Sequence, residues 1–79
     1  MDQPIIETVE VFKTNVQKDA QARLLVKKLL AHFPHCKINF DLQDCDKILR
    51  VAGIAGIDIC PEKIIRVINR SGYHCEALP

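Results

Sequence analysis

An alternating segment in the middle of the chain constrains the fold more than any other feature. Between Cys36 and Leu42 every second residue is apolar, which is the period-2 pattern of a strand with one buried face. Residues 43–46 are rich in aspartate and predict a turn. Residues 47–52 then continue as another strand with Leu49 and Val51 inward, and the short connection predicts antiparallel pairing. The sequence therefore predicts a central hairpin.

The segments before this hairpin predict a strand and a helix. Val9 and Val11 alternate with other residues over 8–13, so we expect a strand with both valines facing the core. From about 17 to 33, apolar residues recur at three- and four-residue spacing, as in an amphipathic helix. Pro34 ends this helix, because its ring clashes with the preceding turn and it lacks an amide hydrogen. The predicted buried stripe comprises Ala22, Leu25, Val26, Leu29, Leu30 and Phe33.

A second helix and a last strand follow the hairpin. Gly53 and Gly56 mark an irregular connection, after which the helix begins near 60–62, where Pro61 suits the first turn. Gly72 fits the left-handed position that closes a helix, and residues 73–78 form the last strand. The predicted buried stripe of this helix comprises Pro61, Ile64, Ile65 and Ile68.

Two amphipathic helices and four strands each need one covered face. An antiparallel four-stranded sheet with both helices on one face meets that need, so we predict an α+β fold, the ferredoxin-like βαββαβ sandwich. The 79 residues form a single domain, 1–79. Because the chain reverses at each element, the loop at 14–19, the hairpin tip at 43–46 and the turn at 70–72 are expected at one end.

Composition argues against several classes of partner. Eleven basic residues against ten acidic ones leave a formal charge of +1, which is not the basic footprint that nucleic acid or an anionic membrane requires. No apolar run approaches the roughly 20 residues that cross a bilayer, and no basic segment leads into an apolar one. We therefore expect a soluble cytoplasmic protein, in which Cys36, Cys45, Cys60 and Cys75 stay reduced.

The order of segments resembles a known domain family. A strand with Val9-Glu10-Val11, a helix ending at Phe33-Pro34 and a last strand after Gly72-Tyr73 are similar to the heavy-metal-associated domain of copper chaperones and metal-pumping ATPases. The resemblance covers nearly the whole chain and depends mostly on order and spacing. It implies a ferredoxin-like fold whose loop after the first strand, here 14–21, holds a soft metal between the two cysteines of a Cys-x-x-Cys motif.

The chain departs from this family at the metal ligands themselves. No cysteine occurs between Met1 and Cys36. If Val16 takes the place of the family's loop methionine, Lys18 and Gln21 align with the two ligand cysteines. An ammonium group has no lone pair to give, and an amide is a poor ligand for metals that select thiolate. The sequence predicts neither a metal at the family's position nor any other cofactor.

Cys45 is the better placed of two alternative metal ligands. It is expected near the cysteine-free loop at 14–21 and lies between the oxygen ligands Asp44 and Asp46. However, one thiol between two carboxylates is a site of mixed softness, and the carboxylates disfavour the thiolate. The ordinary interpretation is a solvated hairpin tip.

His32, His35 and Cys36 form the other candidate group, expected at the end of the sheet opposite the hairpin tip. Cys60 is expected at the same end and could approach the group from the N-terminus of the second helix. The ordinary interpretation gives each residue a structural position. His32 then complements a helix C-terminus, His35 lies in a surface turn, Cys36 packs inward and Cys60 stands at a helix N-cap. Cys75 is expected to be a small core residue.

Catalysis and RNA binding find little support in the sequence. No nucleophile lies beside a base, and the segment 53–56 lacks the lysine and hydroxyl of a phosphate-binding loop. The strand at 47–52 has no aromatic residue on which a base could stack. A small-molecule regulatory module resembling the ACT domain has a similar topology and stays open.

The open sheet face is a candidate interaction surface, and the ordinary interpretation is a solvated polar surface with scattered apolar side chains. Phe12 and Ile48 are expected there on neighbouring central strands, where two adjacent apolar groups could seed a dimer or a partner contact. We therefore predict a non-catalytic heavy-metal-associated-like domain without the chelating pair, with a protein-interaction or accessory role near metal-transport components. The alternative is a protein that binds a soft metal through Cys45 or through the His32, His35 and Cys36 group.

Overall fold

A computed structural model describes residues 8–53 and 59–79. Its elements follow the predicted order of strand, helix, strand, strand, helix and strand. The bounds are β1 (Thr8–Thr14), α1 (Asp19–His32), β2 (Cys36–Asp41), β3 (Ile48–Gly53), α2 (Pro61–Arg70) and β4 (Cys75–Ala77). Gly56, predicted in the connection before α2, lies outside the described residues.

The four strands form one open antiparallel sheet in the order β2-β3-β1-β4. β3 pairs with β2 over six residues, from Cys36 opposite Gly53 to Asp41 opposite Ile48. This pairing confirms the predicted central hairpin. With two helices, the sheet has the predicted α+β ferredoxin-like arrangement, in which β2 and β4 are the edge strands.

Both helices cover the same face of the sheet. The core combines alternate residues of the strands with one stripe from each helix. It comprises Phe12, Val16, Ala22, Leu25, Leu29, Cys36, Ile38, Leu49, Val51, Ile64, Ile68 and Cys75. The inward positions predicted for Leu49 and Val51 are confirmed, since neither side chain is exposed.

The predicted orientation of β1 was wrong. Phe12 is completely buried, whereas Val9 is 50% exposed. The register explains the difference, because Phe12 lies directly opposite Leu49 and cross-strand neighbours share a face of the sheet. Val11, in contrast, lies opposite the exposed Arg50. Phe12 is therefore a core residue and is not available on the open face.

Ile48 does lie on the open face, since its neighbour Leu49 points into the core. Even so, Ile48 is only 6% exposed. Asp41 is its cross-strand partner on β2, and Lys13 of β1, adjacent to the Phe12–Leu49 pair, lies on its other side. The expected exposed pair of Phe12 and Ile48 is therefore absent, for a different reason at each residue.

The helices match their predicted stripes with one exception. Leu25 and Leu29 of α1, and Ile64 and Ile68 of α2, are almost or completely buried. Leu30 was predicted inward but is 38% exposed, because the buried stripe of α1 is narrower than the apolar sequence suggests.

The end of α2 has the predicted glycine. Gly72 has a φ of +94°, and the N–H groups of Gly72 and Tyr73 donate to the carbonyls of Asn69 and Ile68. These bonds form a Schellman motif, which satisfies the last carbonyls of the helix.

Neither α1 nor α2 is long and apolar enough to cross a membrane, in the part of the chain that the structure describes.

Candidate functional site

The loop after β1 and the β2–β3 hairpin tip are joined by hydrogen bonds. We call these two segments, residues 14–18 and 42–47, the tip end. The Thr14 N–H donates to the Asp46 carbonyl at 3.0 Å, and the Thr14 hydroxyl donates to the Lys47 carbonyl at 2.6 Å. The side chain of Thr14 is almost fully buried. The prediction that the loop and the hairpin tip share one end of the molecule is confirmed.

Two further contacts fix the loop of the tip end. Asn15 Oδ1 accepts a hydrogen bond from the N–H of His74 at 2.8 Å, which brings the segment between Gly72 and β4 to the same end. Val16 is completely buried, and its N–H donates to the Thr14 hydroxyl at 3.3 Å. The loop is therefore held by both its polar and its apolar side chains.

Lys18 and Gln21 take part in the start of α1. Lys18 stands at the N-cap, and Gln21 Oε1 accepts the Lys18 N–H at 3.3 Å. Asp19 is the first residue of the helix, where its charge suits the positive end of the helix dipole. Lys18 and Gln21 are thus ordinary residues of a helix start.

The hairpin tip is tightly turned and leaves Cys45 exposed. Asp44 accepts two hydrogen bonds, from the Asp46 N–H to its carboxylate at 2.9 Å and from the Lys47 N–H to its carbonyl at 3.0 Å. Lys47 has a left-handed backbone with a φ of +47°, and its ammonium donates to the Leu42 carbonyl at 2.8 Å. These bonds account for the sharp reversal of the chain here.

Asp44, Cys45 and Asp46 bring three ligand atoms within 4.8 Å of one another. Among the described residues, no other group of three cysteine, histidine or acidic side chains does so. The Asp44 carboxylate already accepts the Asp46 N–H, and the Asp46 carboxylate lies 3.8 Å from the Lys13 ammonium. One soft thiol and two engaged hard carboxylates suit no single class of metal well.

The group of His32, His35 and Cys36 is not assembled in this way. His32 Nδ1 lies 2.9 Å from the carbonyl of Lys28 in the last turn of α1, as its predicted structural position requires. His35 is exposed, whereas Cys36 is buried, and burial raises the pKa of the Cys36 thiol. Cys60 is the N-cap residue of α2 and makes no side-chain capping bond.

Cys75 packs into the core as predicted. It lies opposite Thr14 in the pairing of β1 with β4 and is 5% exposed. Burial, and secondarily the charge of Glu76, raises the pKa of the Cys75 thiol to about 12. Such a thiol stays protonated at neutral pH and is a poor nucleophile or metal ligand.

An apolar groove runs between α1 and the edge strand β2, and sequence reasoning missed it. We call this region the α1–β2 flank. The groove has a volume of about 870 Å³. Leu24, which is 58% exposed, lies on its helical wall, and the partly buried Phe40 and Leu42 lie on the other side. The groove is also lined by charges of both signs, Asp19, Arg23 and Lys27 on the helix and Asp41 on the strand.

The flank could have been found only by combining two signals. The alternation from Cys36 to Leu42 marks a strand that could stand at the edge of a sheet, and Leu24 interrupts the polar side of α1. Neither signal alone points to a groove, because a single exposed leucine is common in folded proteins.

Comparisons with known proteins add no identification. The chain matches no protein-family model, no curated protein and no solved structure.

Proposed function

We propose that this chain is a non-catalytic domain of the heavy-metal-associated type that has lost the chelating cysteine pair and acts through protein contacts. The observation that carries the proposal is the α1–β2 flank, where Leu24 is 58% exposed beside a groove of about 870 Å³. Concave, partly apolar surfaces with charged rims are typical of contact sites in proteins. A place beside metal-transport components follows from the family resemblance.

The condition of the tip end supports the same proposal. Where the resembling family places its metal, this chain has the Lys18 N–H bonded to the Gln21 amide oxygen and a completely buried Val16. The residues in this loop stabilise the start of a helix and offer no thiolate. A partner that contacts the tip end would therefore meet polar groups that hold the fold together.

A cross-linking experiment tests the protein-contact proposal. A photoreactive residue is placed at Leu24 and, as a matched control, at Leu30, which is also an exposed leucine of α1 but does not line the groove. We expect a discrete protein adduct from position 24 and none from position 30. Leu24→Asp should then weaken the isolated complex about tenfold or more, and Leu30→Asp should leave it unchanged. Absence of any protein adduct at position 24 would contradict the proposal.

Metal handling through Cys45 is the second candidate, because the ligand atoms of Asp44, Cys45 and Asp46 lie within 4.8 Å of one another. Titration of the reduced protein with Cu(I) or Zn²⁺ separates the two functions. Stoichiometric binding that is lost in Cys45→Ser would favour this candidate over the first, and loss in Cys36→Ser would favour the histidine group. Binding no tighter than that of a cysteine-free variant would support the domain without a metal.

A further inference from the structure

The outer edge of β2 is suited to pairing with another strand. β2 is an edge strand, and within residues 8–53 and 59–79 it pairs with β3 alone. Its register with β3 runs over six residues without a bulge, and it contains no proline. Bulges, prolines and very short strands are among the means by which proteins block an edge. Charged side chains are another, and β2 carries Lys37 and Asp41. The other edge strand, β4, has only three residues.

The sequence of β2 is complementary to itself in the antiparallel direction. If Asn39 of one copy lies opposite Asn39 of another, Lys37 falls opposite Asp41 of the second copy, and the symmetry repeats this pair. Ile38 then falls opposite Phe40 of the second copy. Opposite charges therefore meet on the open face of the sheet, and apolar side chains meet on the helix-covered face.

This complementarity identifies the occupant of the flank as a second copy. We propose that two copies of the chain pair antiparallel along β2, about a twofold axis at Asn39, and join their four-stranded sheets into one. The groove beside β2 then lies along the dimer interface, where the second copy covers the exposed Leu24 and the partly buried Phe40. The inference rests on the proposed function, because it names the partner of the same contact surface.

The full chain, kept reduced, tests the pairing by its mass in solution. Sedimentation equilibrium over a range of protein concentrations should show a reversible dimer. Lys37→Asp places two aspartates opposite each other in both symmetry-related pairs, and Asp41→Lys places two lysines there. Each single variant should raise the dimer dissociation constant roughly tenfold or more, since like charges directly opposite destabilise a strand pair.

Mixing the two variants is the decisive arm. Lys37→Asp and Asp41→Lys chains are complementary to each other, so the mixture should form a heterodimer with an affinity restored to within about threefold of the original. Lys63→Asp makes the same change in net charge as Lys37→Asp, at an exposed position of α2, and should leave the dimer unchanged. Circular dichroism of each variant confirms that it is folded.

Amide hydrogen exchange gives a second measurement that needs no variant. Outward-facing amides of β2 should exchange more slowly as the protein concentration rises, and those of β4 should not. A monomeric mass at every concentration, a dimer insensitive to both charge reversals, or single variants that mixing does not restore would each overturn the proposal.

The two proposals can fail separately. If the chain is monomeric and Leu24 cross-links to a different protein, the dimer is wrong while the protein-contact function stands. If the chain is monomeric and no protein adduct forms at position 24, both are wrong. An adduct of twice the chain mass, together with rescue by mixing, supports both.

Discussion

The tip end and the α1–β2 flank differ in whether their side chains and backbone groups find partners within the chain. At the tip end, Thr14, Asn15 and Asp44 use their polar atoms to bond three segments of the same chain. Along the flank, a strand edge and the exposed side chain of Leu24 face outward beside a groove. The tip end is therefore an internal joint of the fold, whereas the flank is a groove beside an exposed apolar side chain.

Two adjacent leucines of α1 give the sharpest test of this difference. Leu25 is 2% exposed in the core, whereas Leu24 is 58% exposed on the flank. Leu25→Ala should lower the free energy of unfolding by about 2–5 kcal/mol, because it removes buried methyl groups and leaves a cavity. Leu24→Ala should change it by no more than about 0.5 kcal/mol.

Urea unfolding at low protein concentration measures both effects on the monomer. The same substitution in the same helix serves as its own control, so helix propensity cancels between the two variants. Equal losses would mean that Leu24 is packed in the isolated chain, and the flank would then not be a free surface.

The order of the elements was predictable from the sequence because each has a strong periodic signal and a distinct end. The alternation of 36–42 gave β2 and its hairpin, Pro34 gave the end of α1 and Gly72 gave the end of α2. The alternation is a local side-chain pattern, and the proline and glycine signals depend on backbone chemistry that neighbouring segments do not change.

The faces of β1 and the location of the flank were not predictable in this way. Both faces of β1 carry large apolar side chains, Val9 and Val11 on one and Phe12 on the other, so alternation alone does not choose between them. The pairing of Phe12 with Leu49 decides it, and such pairing is a tertiary fact. The groove likewise exists only because α1 lies beside an edge strand. The role of Lys18 and Gln21 as helix-start residues, in contrast, was predictable from their position in the sequence.

The hydroxyl of Thr14 is the main polar connection of the tip end, and removing it should weaken that end. It donates to the part-buried Lys47 carbonyl and accepts the buried Val16 N–H, so Thr14→Val leaves both groups without this partner. We expect a loss of about 1–3 kcal/mol in the free energy of unfolding. Thr8→Val, the same change at the exposed start of β1, should cost less than about 0.5 kcal/mol.

Hydrogen exchange locates the effect of Thr14→Val. Amides of residues 14–16 and 44–47 should exchange faster in this variant, while those in the middle of β2 keep their protection. If Thr14→Val and Thr8→Val had equal effects on stability, the tip end would not be a structural joint.

The buried thiol beneath the tip end should make stability depend on alkaline pH. The pKa of Cys75 is raised from the ordinary 9.0 to about 12 in the folded chain. The unfolded chain therefore loses this proton first, and the folded chain holds it until the pH passes the higher value. The contribution of Cys75 is fully present below about pH 9 and is lost as the pH rises through about 12, with a slope of at most about 1.4 kcal/mol per pH unit.

Comparison with Cys75→Ala isolates this contribution, because titration of lysines and tyrosine is common to both proteins. The stability difference between the original chain and Cys75→Ala should be constant below about pH 9 and should shift progressively against the original chain above it. Urea unfolding at a series of pH values measures this difference. Parallel curves for the original chain and Cys75→Ala would mean that the Cys75 thiol is in contact with solvent. The tip end would then not be closed over this thiol.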